Sequence, residues 1–559
     1  MKKYLCVLMA MLLSLSLFVA CQPSGSQQNG NSPSLGASGS AGTATPPAEE
    51  NAPVKEQRIV YAMASEPPIM DPGMNYYLSP SNILQNVFRG LFKLDINGNT
   101  IPCIATEYTL DDSQTVYTFI LRQDAKWNNG NPINAYDFEY SWKRVLDPAV
   151  GSSASYALYN IKNAAACAAG ELPMDEVGIK VIDDYTLEVT LEAPTAWFLD
   201  LLTTPNFMPV CKDVAETEGW STNASTYICN GPFMISEMKP KEKYVLVKNP
   251  NYFDAANVKL ETIEVIFMES AESTLIAYNN GDVDFTENIS PEAIAQYTGT
   301  DEYVASPKIG LTFYDFNCNK APFDDARVRK AFAMAINRQE ILDYIMESPE
   351  KPAYAYVPVG YYDPADKEKL YRDVVGYNLF EEDVAAAQAL LAEAGYPGGE
   401  GIPQIDLVVG ATQMAKDTAQ AMQSMWKENL GVTVEIVTYE SKIMSEQANL
   451  GNFSIIADGW TGLYPDPMSI MQPQASDAGS GTWSSWMNEE FDSLLTSSIS
   501  ELDQQKRMDA FIRMEQILID EMPVMPVFYR SNLYLCKPHV KNVIKNLVAH
   551  TYLEYAYVD

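Results

Sequence analysis

The sequence predicts an α/β fold, and three observations lead there. The stretch from Pro403 to Val437 reads as strand, helix, strand. Shorter segments alternate apolar and polar side chains, as half-buried strands do. Between them lie helical segments that carry their own start and stop signals. The chain has 559 residues, 47% of them hydrophobic. That is ample for a large core and for more than one lobe.

The elements follow in chain order. Tyr117, Phe119 and Leu121 alternate with polar neighbours and predict a strand. Leu187, Val189 and Leu191 alternate with Glu188, Thr190 and Glu192, just after the turn-forming Asp183-Asp184. Asp324 or Asp325 is placed to cap a helix that buries Val328, Phe332, Ala335 and Ile336. Asn378 and Glu381 have capping-box spacing ahead of Val384, Ala387 and Leu391, with Gly395 ending that helix and Pro397 preventing its return. Ile405, Leu407 and Val409 predict a strand. Met414 to Asn429 puts Met422, Met425 and Trp426 on one helical face, Gly431 breaks the helix, and Val432, Val434 and Ile436 predict the next strand. Such a unit implies a right-handed parallel crossover. A further apolar run, Phe453 to Ala457, ends at Gly459-Trp460. Ligands of open parallel sheets sit beyond the carboxyl ends of strands. The Trp460 loop is therefore a candidate site, although a core tryptophan at a strand end is the plainer expectation.

The N-terminus has its own logic. Lys2 and Lys3 precede an apolar run from Tyr4 to Val19, and Ala20 stands before Cys21. That order is a secretory signal, and the cysteine after the cut resembles a bacterial lipoprotein signal, with Phe18 where leucine is usual. The resemblance implies that the Cys21 thiol is lipidated. A cut elsewhere would leave the protein unanchored. Residues 22 to about 55 are Gly, Ser, Asn, Gln, Pro, Ala and Thr with scarcely a large apolar side chain. This composition predicts a disordered tether of about 35 residues with a reach of roughly 30 Å.

Charge and cysteine usage exclude several functions. Net charge is −35, from 73 acidic and 38 basic residues, with no dense Lys/Arg run. Nucleic-acid binding is opposed by phosphate repulsion. Besides Cys6 and Cys21, the cysteines are Cys103, Cys167, Cys211, Cys229, Cys318 and Cys536, with no Cys-x-x-Cys pair. Zinc spacing is absent. Cys211 and Cys229 flank one loop-like stretch and either pair or remain buried free thiols. The only histidines are His539 and His550. There is no His-Glu-x-x-His, no Gly-x-Ser-x-Gly elbow and no phosphate-cradling glycine loop. No enzyme, cofactor or metal is expected.

Residues 126–148 read KWNNGNPINAYDFEYSWKRVLDP. The segment resembles the signature of family 5 extracellular solute-binding proteins, the receptors of oligopeptide and dipeptide ABC importers. RGLFKLDINGN from Arg89, NGPFMI from Asn230, NKAPFDDARVRKAFAMAINR from Asn319, LLAEAGYP from Leu390 and WKENLGV from Trp426 extend the likeness to essentially the whole folded body. Within the family the pattern is most like that of oligopeptide-binding proteins. The resemblance implies a two-lobed periplasmic-binding-protein-like fold with an extra inserted domain and a discontinuous first lobe. Residues 57–88, 211–310 and 530–559 would form that lobe, 89–210 the insertion and 311–529 the second lobe. Segments near 310 and 530 would be the hinge.

The resemblance also implies a ligand: an extended oligopeptide held by its backbone as an added strand. It implies a monomer anchored on the extracytoplasmic face of the cell membrane, with permease subunits as partners. The matching contact stretches are Tyr76-Tyr77-Leu78 and Trp460-Thr461-Gly462. Peptide-binding relatives place an aspartate just before the tyrosine of the second stretch, to pair with the ligand's ammonium. Here Leu463 precedes Tyr464. Leucine cannot neutralise a buried ammonium. Either Asp458 or Asp466 supplies the carboxylate, or the peptide N-terminus is blocked or lies elsewhere, or the ligand is a sugar, a metal chelate or haem. Strand-end and turn chemistry is the plainer role of both aspartates. A peptide-pheromone receptor would share the same physics.

Overall fold

Long apolar runs interrupted by polar turns assemble into one mixed sheet of eleven strands. In chain order these are β1 (Arg58–Met63), β2 (Phe233–Lys239), β3 (Lys243–Lys248), β4 (Thr262–Phe267), β5 (Phe285–Thr286), β6 (Tyr303–Phe316), β7 (Lys351–Pro352), β8 (Ile405–Gly410), β9 (Val434–Tyr439), β10 (Ile455–Thr461) and β11 (Val524–Cys536). Across the sheet they run β9-β8-β10-β6-β11-β5-β1-β4-β3-β2, with β7 beside β11. The computed structural model describes residues 55–75, 78–96, 99–476, 478 and 483–559. The leader, Cys21, the tether, Tyr76 and Tyr77 lie outside the described residues, and Leu78 opens the helix Leu78–Val87.

The molecule is two-lobed. β6 and β11, of 14 and 13 residues, are the longest strands and pair antiparallel at the middle of the sheet. The chain passes from one half to the other along β6 and returns along β11. On one side, β1 runs parallel to β4 and β5. On the other, β8 and β9 run parallel and the helix Gln413–Leu430 joins them. This is the crossover that the periodicity of residues 403–437 predicts. Thr412 caps the helix, Met422 and Trp426 are buried, and Gly431 ends it at φ +72°. Glycine is required at 431 because a Cβ would stand 2.4 Å from the Gly398 carbonyl oxygen.

A separate four-stranded antiparallel sheet occupies part of residues 105–190, in the order Ala105–Leu110, Val116–Leu121, Thr186–Thr190, Ile179–Asp183. Tyr117, Phe119 and Leu121 are buried, and so are Leu187, Val189 and Leu191. The KWNNGNPINAYDFEYSWKRVLDP segment is a packing unit. Trp127 and Trp142 are buried, and Asn134 and Asp137 form a reciprocal capping box for the helix Ala135–Leu146.

Two local expectations resolve. Asp325, rather than Asp324, caps the helix Ala326–Met334. The helix Val384–Glu393 is capped by Asp383, which accepts from the Ala386 amide. The Asn378–Glu381 spacing does not act as a capping box, because Asn378 is held in a bridge with Tyr354 and the chain turns helical only after Asp383. Cys211 and Cys229 are buried free thiols.

Buried charge is paired by long-range contacts. Glu554 accepts from Arg89 at 2.7 Å, Lys93 at 2.8 Å and the Tyr252 hydroxyl at 2.8 Å. Burial alone would raise its pKa, but Arg89 and Lys93 outweigh burial and hold it at about 2. A carboxylate depressed in the folded state stabilises the fold above its unfolded pKa. That contribution disappears as pH falls from 4.5, the ordinary value, toward about 2. We expect about 3 kcal/mol of acid-sensitive stability from this group. Denaturant titrations between pH 5 and 2 will show a flatter pH dependence for Glu554→Gln than for the natural chain.

Candidate functional site

β10 creates an open sheet edge. It pairs with β6 along its whole length, from Ile455 opposite Phe316 to Thr461 opposite Gly310. On its other side it meets β8 only at Ile455 and Ile456. Among the described residues, Ala457 to Thr461 are therefore paired on one edge only, and they are half-buried. An unpaired strand edge is a template for a further strand. The apolar pattern predicts a loop at Trp460, but the strand continues through it because β6 offers partners as far as Gly310. The Trp460 indole donates to the Ser469 carbonyl at 3.0 Å.

The residues after the strand are pinned from within the protein. The Gly462 amide donates to the Ile309 carbonyl at 2.8 Å, and the Leu463 amide to Ser469 Oγ at 2.7 Å. Gly462 is buried with no room for a Cβ, which would stand 2.1 Å from the Tyr361 hydroxyl. Leu463 is 51% exposed. Tyr464 is buried and stacks on Trp197, with ring centroids 5.5 Å apart and planes 3° from parallel. Arg507 lies 5.2 Å over Trp197 and holds both oxygens of Asp466, at 2.9 and 3.0 Å. Asp466 also accepts from the Met468 amide. Residues 197 and 464, far apart in the chain, thus share one aromatic contact.

The two aspartates singled out from sequence are both engaged. Asp466 belongs to Arg507 and to its own turn. Asp458 accepts from the Gly459 amide at 2.7 Å. It neighbours Asp315, which is fully buried. Burial first, then the Asp458 charge, pushes Asp315 well above the usual carboxylate range, and burial raises Asp458 as well. Like carboxyls in one buried place cannot both ionise cheaply.

A third carboxylate comes from elsewhere in the chain. A cavity of about 190 Å³ is lined by Thr100, Asp200, Tyr362, Leu463 and Tyr464, among others. It brings Asp200 beside the position where Leu463 leaves the site without a charge. Asp200 accepts from the Thr100 hydroxyl at 2.6 Å, and no cation of the described residues forms an ion pair with it. Burial raises its pKa, against the opposing pull of Lys367. Periodicity carries no sign of Asp200, Trp197, Ser469 or Arg507, because their partners are remote in sequence.

Comparison with known proteins identifies the family and the fold. The model of the bacterial extracellular solute-binding proteins, family 5 (middle), matches residues 99–482. The dipeptide-binding protein DppE of Bacillus subtilis is 30% identical over 510 residues, covering 91% of this chain and 93% of DppE. The periplasmic oligopeptide-binding protein OppA of Salmonella typhimurium is 32% identical over 492 residues, 87% of this chain and 89% of its own length. The structure of Listeria monocytogenes OppA bound to peptide superposes with a TM-score of 0.73 at 31% identity, covering 90% of this chain and 99% of that one.

Proposed function

The chain belongs to the bacterial extracellular solute-binding proteins of family 5, and from that premise we propose that it captures extended oligopeptides between its lobes for an ABC importer. The observation that carries this reading is the open edge of β10, Ala457–Thr461. A peptide main chain laid along that edge exchanges its hydrogen bonds for ladder bonds while its side chains stay in tolerant surroundings. Net bonds of about 0.5–1.5 kcal/mol each make several of them, with apolar burial, necessary for micromolar affinity.

In this reading Trp460 and Thr461 present the edge, Gly462 closes it, and the stretch Tyr76-Tyr77-Leu78 supplies the second set of ligand contacts. The first lobe comprises residues 57–88, 211–310 and 530–559, the insertion 89–210, and the second lobe 311–529. Stacking of Trp197 on Tyr464 links the insertion to the second lobe and favours the closed form. Asp200, rather than Asp458 or Asp466, receives the peptide ammonium. An incoming cation relieves the cost of keeping that carboxylate buried. Lipid on Cys21 tethers the body to the outer face of the membrane, beside the permease.

Native mass spectrometry of the body, purified without refolding, tests the substrate class. We expect a ladder of co-purified peptides. A single non-peptide mass in their place would contradict the reading.

A further inference from the structure

Arg530 is seated at the open edge by glycine and threonine, and among the described residues no carboxylate forms an ion pair with it. It projects from β11 across β6 to β10. Its Nε donates to Thr312 Oγ1 at 3.0 Å and Nη1 to Thr461 Oγ1 at 3.5 Å. Two glycines clear its path. A Cβ on Gly459 would fall 1.9 Å from Arg530 Nη2, and one on Gly310 would meet its Cδ at 3.0 Å. The guanidinium therefore occupies the space a side chain at 459 would take, in the middle of the unpaired stretch.

Among the described residues, most of the buried arginines have acids, and Arg329, which has none, donates to the backbone carbonyls of Glu521 and Phe323 instead. Arg89 pairs with Glu554, Arg372 with Glu515, and Arg507 with Asp466. Acids outnumber bases by 73 to 38 in this chain. Even so, among the described residues no carboxylate forms an ion pair with Arg530, and Lys308 has neither an ion pair nor a hydrogen bond. Lys308 lies in the irregular step of β6 between Pro307 and Leu311, opposite Arg530. The acids acting on Arg530 are Asp458 and Glu350. Glu350 is occupied by the Ser531 amide at 3.1 Å. Those acting on Lys308 are Glu350 and Glu287, the latter already paired with Lys545. Burial, then the Arg530 charge, depresses Lys308, and burial depresses Arg530 against the pull of Asp458 and Glu350. Such a pair of cations is stabilised by an incoming anion.

We propose that Arg530, backed by Lys308, is a carboxylate-binding subsite, and that this protein prefers acidic peptides. The inference rests on the strand-addition reading of the β10 edge. A ligand strand would run about 4.8 Å from β10, and a side chain opposite Gly459 on the arginine face comes within reach of the guanidinium. Arginine offers a planar fork that matches a carboxylate bidentately. The carboxylate comes from a Glu or Asp side chain or from the peptide C-terminus, and the test separates the two.

The test is calorimetric titration of the natural protein and of Arg530→Gln with four tetrapeptides. The set is an alanine host with a central Glu, the same host with Gln, and each of these with its C-terminus amidated. If a side chain is read, the Glu peptide binds roughly 10-fold or more tighter than the Gln peptide. If the C-terminus is read, amidation causes that loss instead. In either case the preference vanishes in Arg530→Gln, while the weaker peptide keeps its affinity. Equal binding of all four peptides by the natural protein would overturn the subsite and leave strand addition standing. So would a variant that weakens all four equally. Failure of all four to bind would overturn both. Arg530→Lys guards against a folding defect, because it keeps the charge and loses the fork. Part of the preference and a steeper salt dependence are expected of it.

Discussion

Glu515→Ala lowers the unfolding free energy by about 3–5 kcal/mol. Glu515 is fully buried. It accepts from the Tyr356 amide at 2.9 Å and the Val357 amide at 2.7 Å, and it contacts Arg372, itself 1% exposed. Deleting the carboxylate leaves a buried guanidinium without a counter-ion and two buried amides without acceptors. The cost of unpaired buried charge dominates, because the pair itself gains little over an apolar substitute. Glu515→Gln keeps an acceptor for the amides and loses only the charge, so its effect is smaller. Denaturant unfolding of the three proteins checks the order. A loss below about 1 kcal/mol for Glu515→Ala, the size expected of an exposed pair, would contradict it.

Asp200→Asn has the largest expected effect on binding. The natural protein distinguishes free from N-acetylated peptides, because acetylation removes the cation that Asp200 receives. The variant binds both forms alike, with affinity for free peptides reduced about 10- to 100-fold. Asp200 has a pKa above the ordinary carboxylate value. Affinity of the natural protein for free peptides therefore falls as acid protonates Asp200, and the decline begins at a higher pH than for an exposed aspartate. The variant lacks this decline. Calorimetry with free and acetylated peptide pools reads both effects. Equal binding of the two pools by the natural protein would remove the ammonium role altogether.

The parts legible in the sequence were those with local causes. The crossover at residues 403–437 rests on periodicity and on the break at Gly431, and both act within a few residues. Asp325 and Tyr117-Phe119-Leu121 are local in the same sense. The failures have a common reason. Asn378 had suitable spacing, but Tyr354 claimed its backbone. Trp460 looked like a loop residue because the end of a strand is set by its neighbours, and β6 lies some 150 positions away in the chain. Asp466 stands three residues after the expected ammonium position, yet Arg507 holds it from 41 residues downstream. Asp200 and Arg530 reach the site only through tertiary packing. The contacts of Tyr76 and Tyr77 lie outside the described residues.

A crystal structure with a bound tetrapeptide is the most direct measurement. The expected result is an extended main chain bonded to the backbone of Ala457–Thr461 as an added strand, its N-terminus toward Asp200. A peptide held by side chains alone, or an edge at β10 already occupied by the protein itself, would contradict recognition through the backbone.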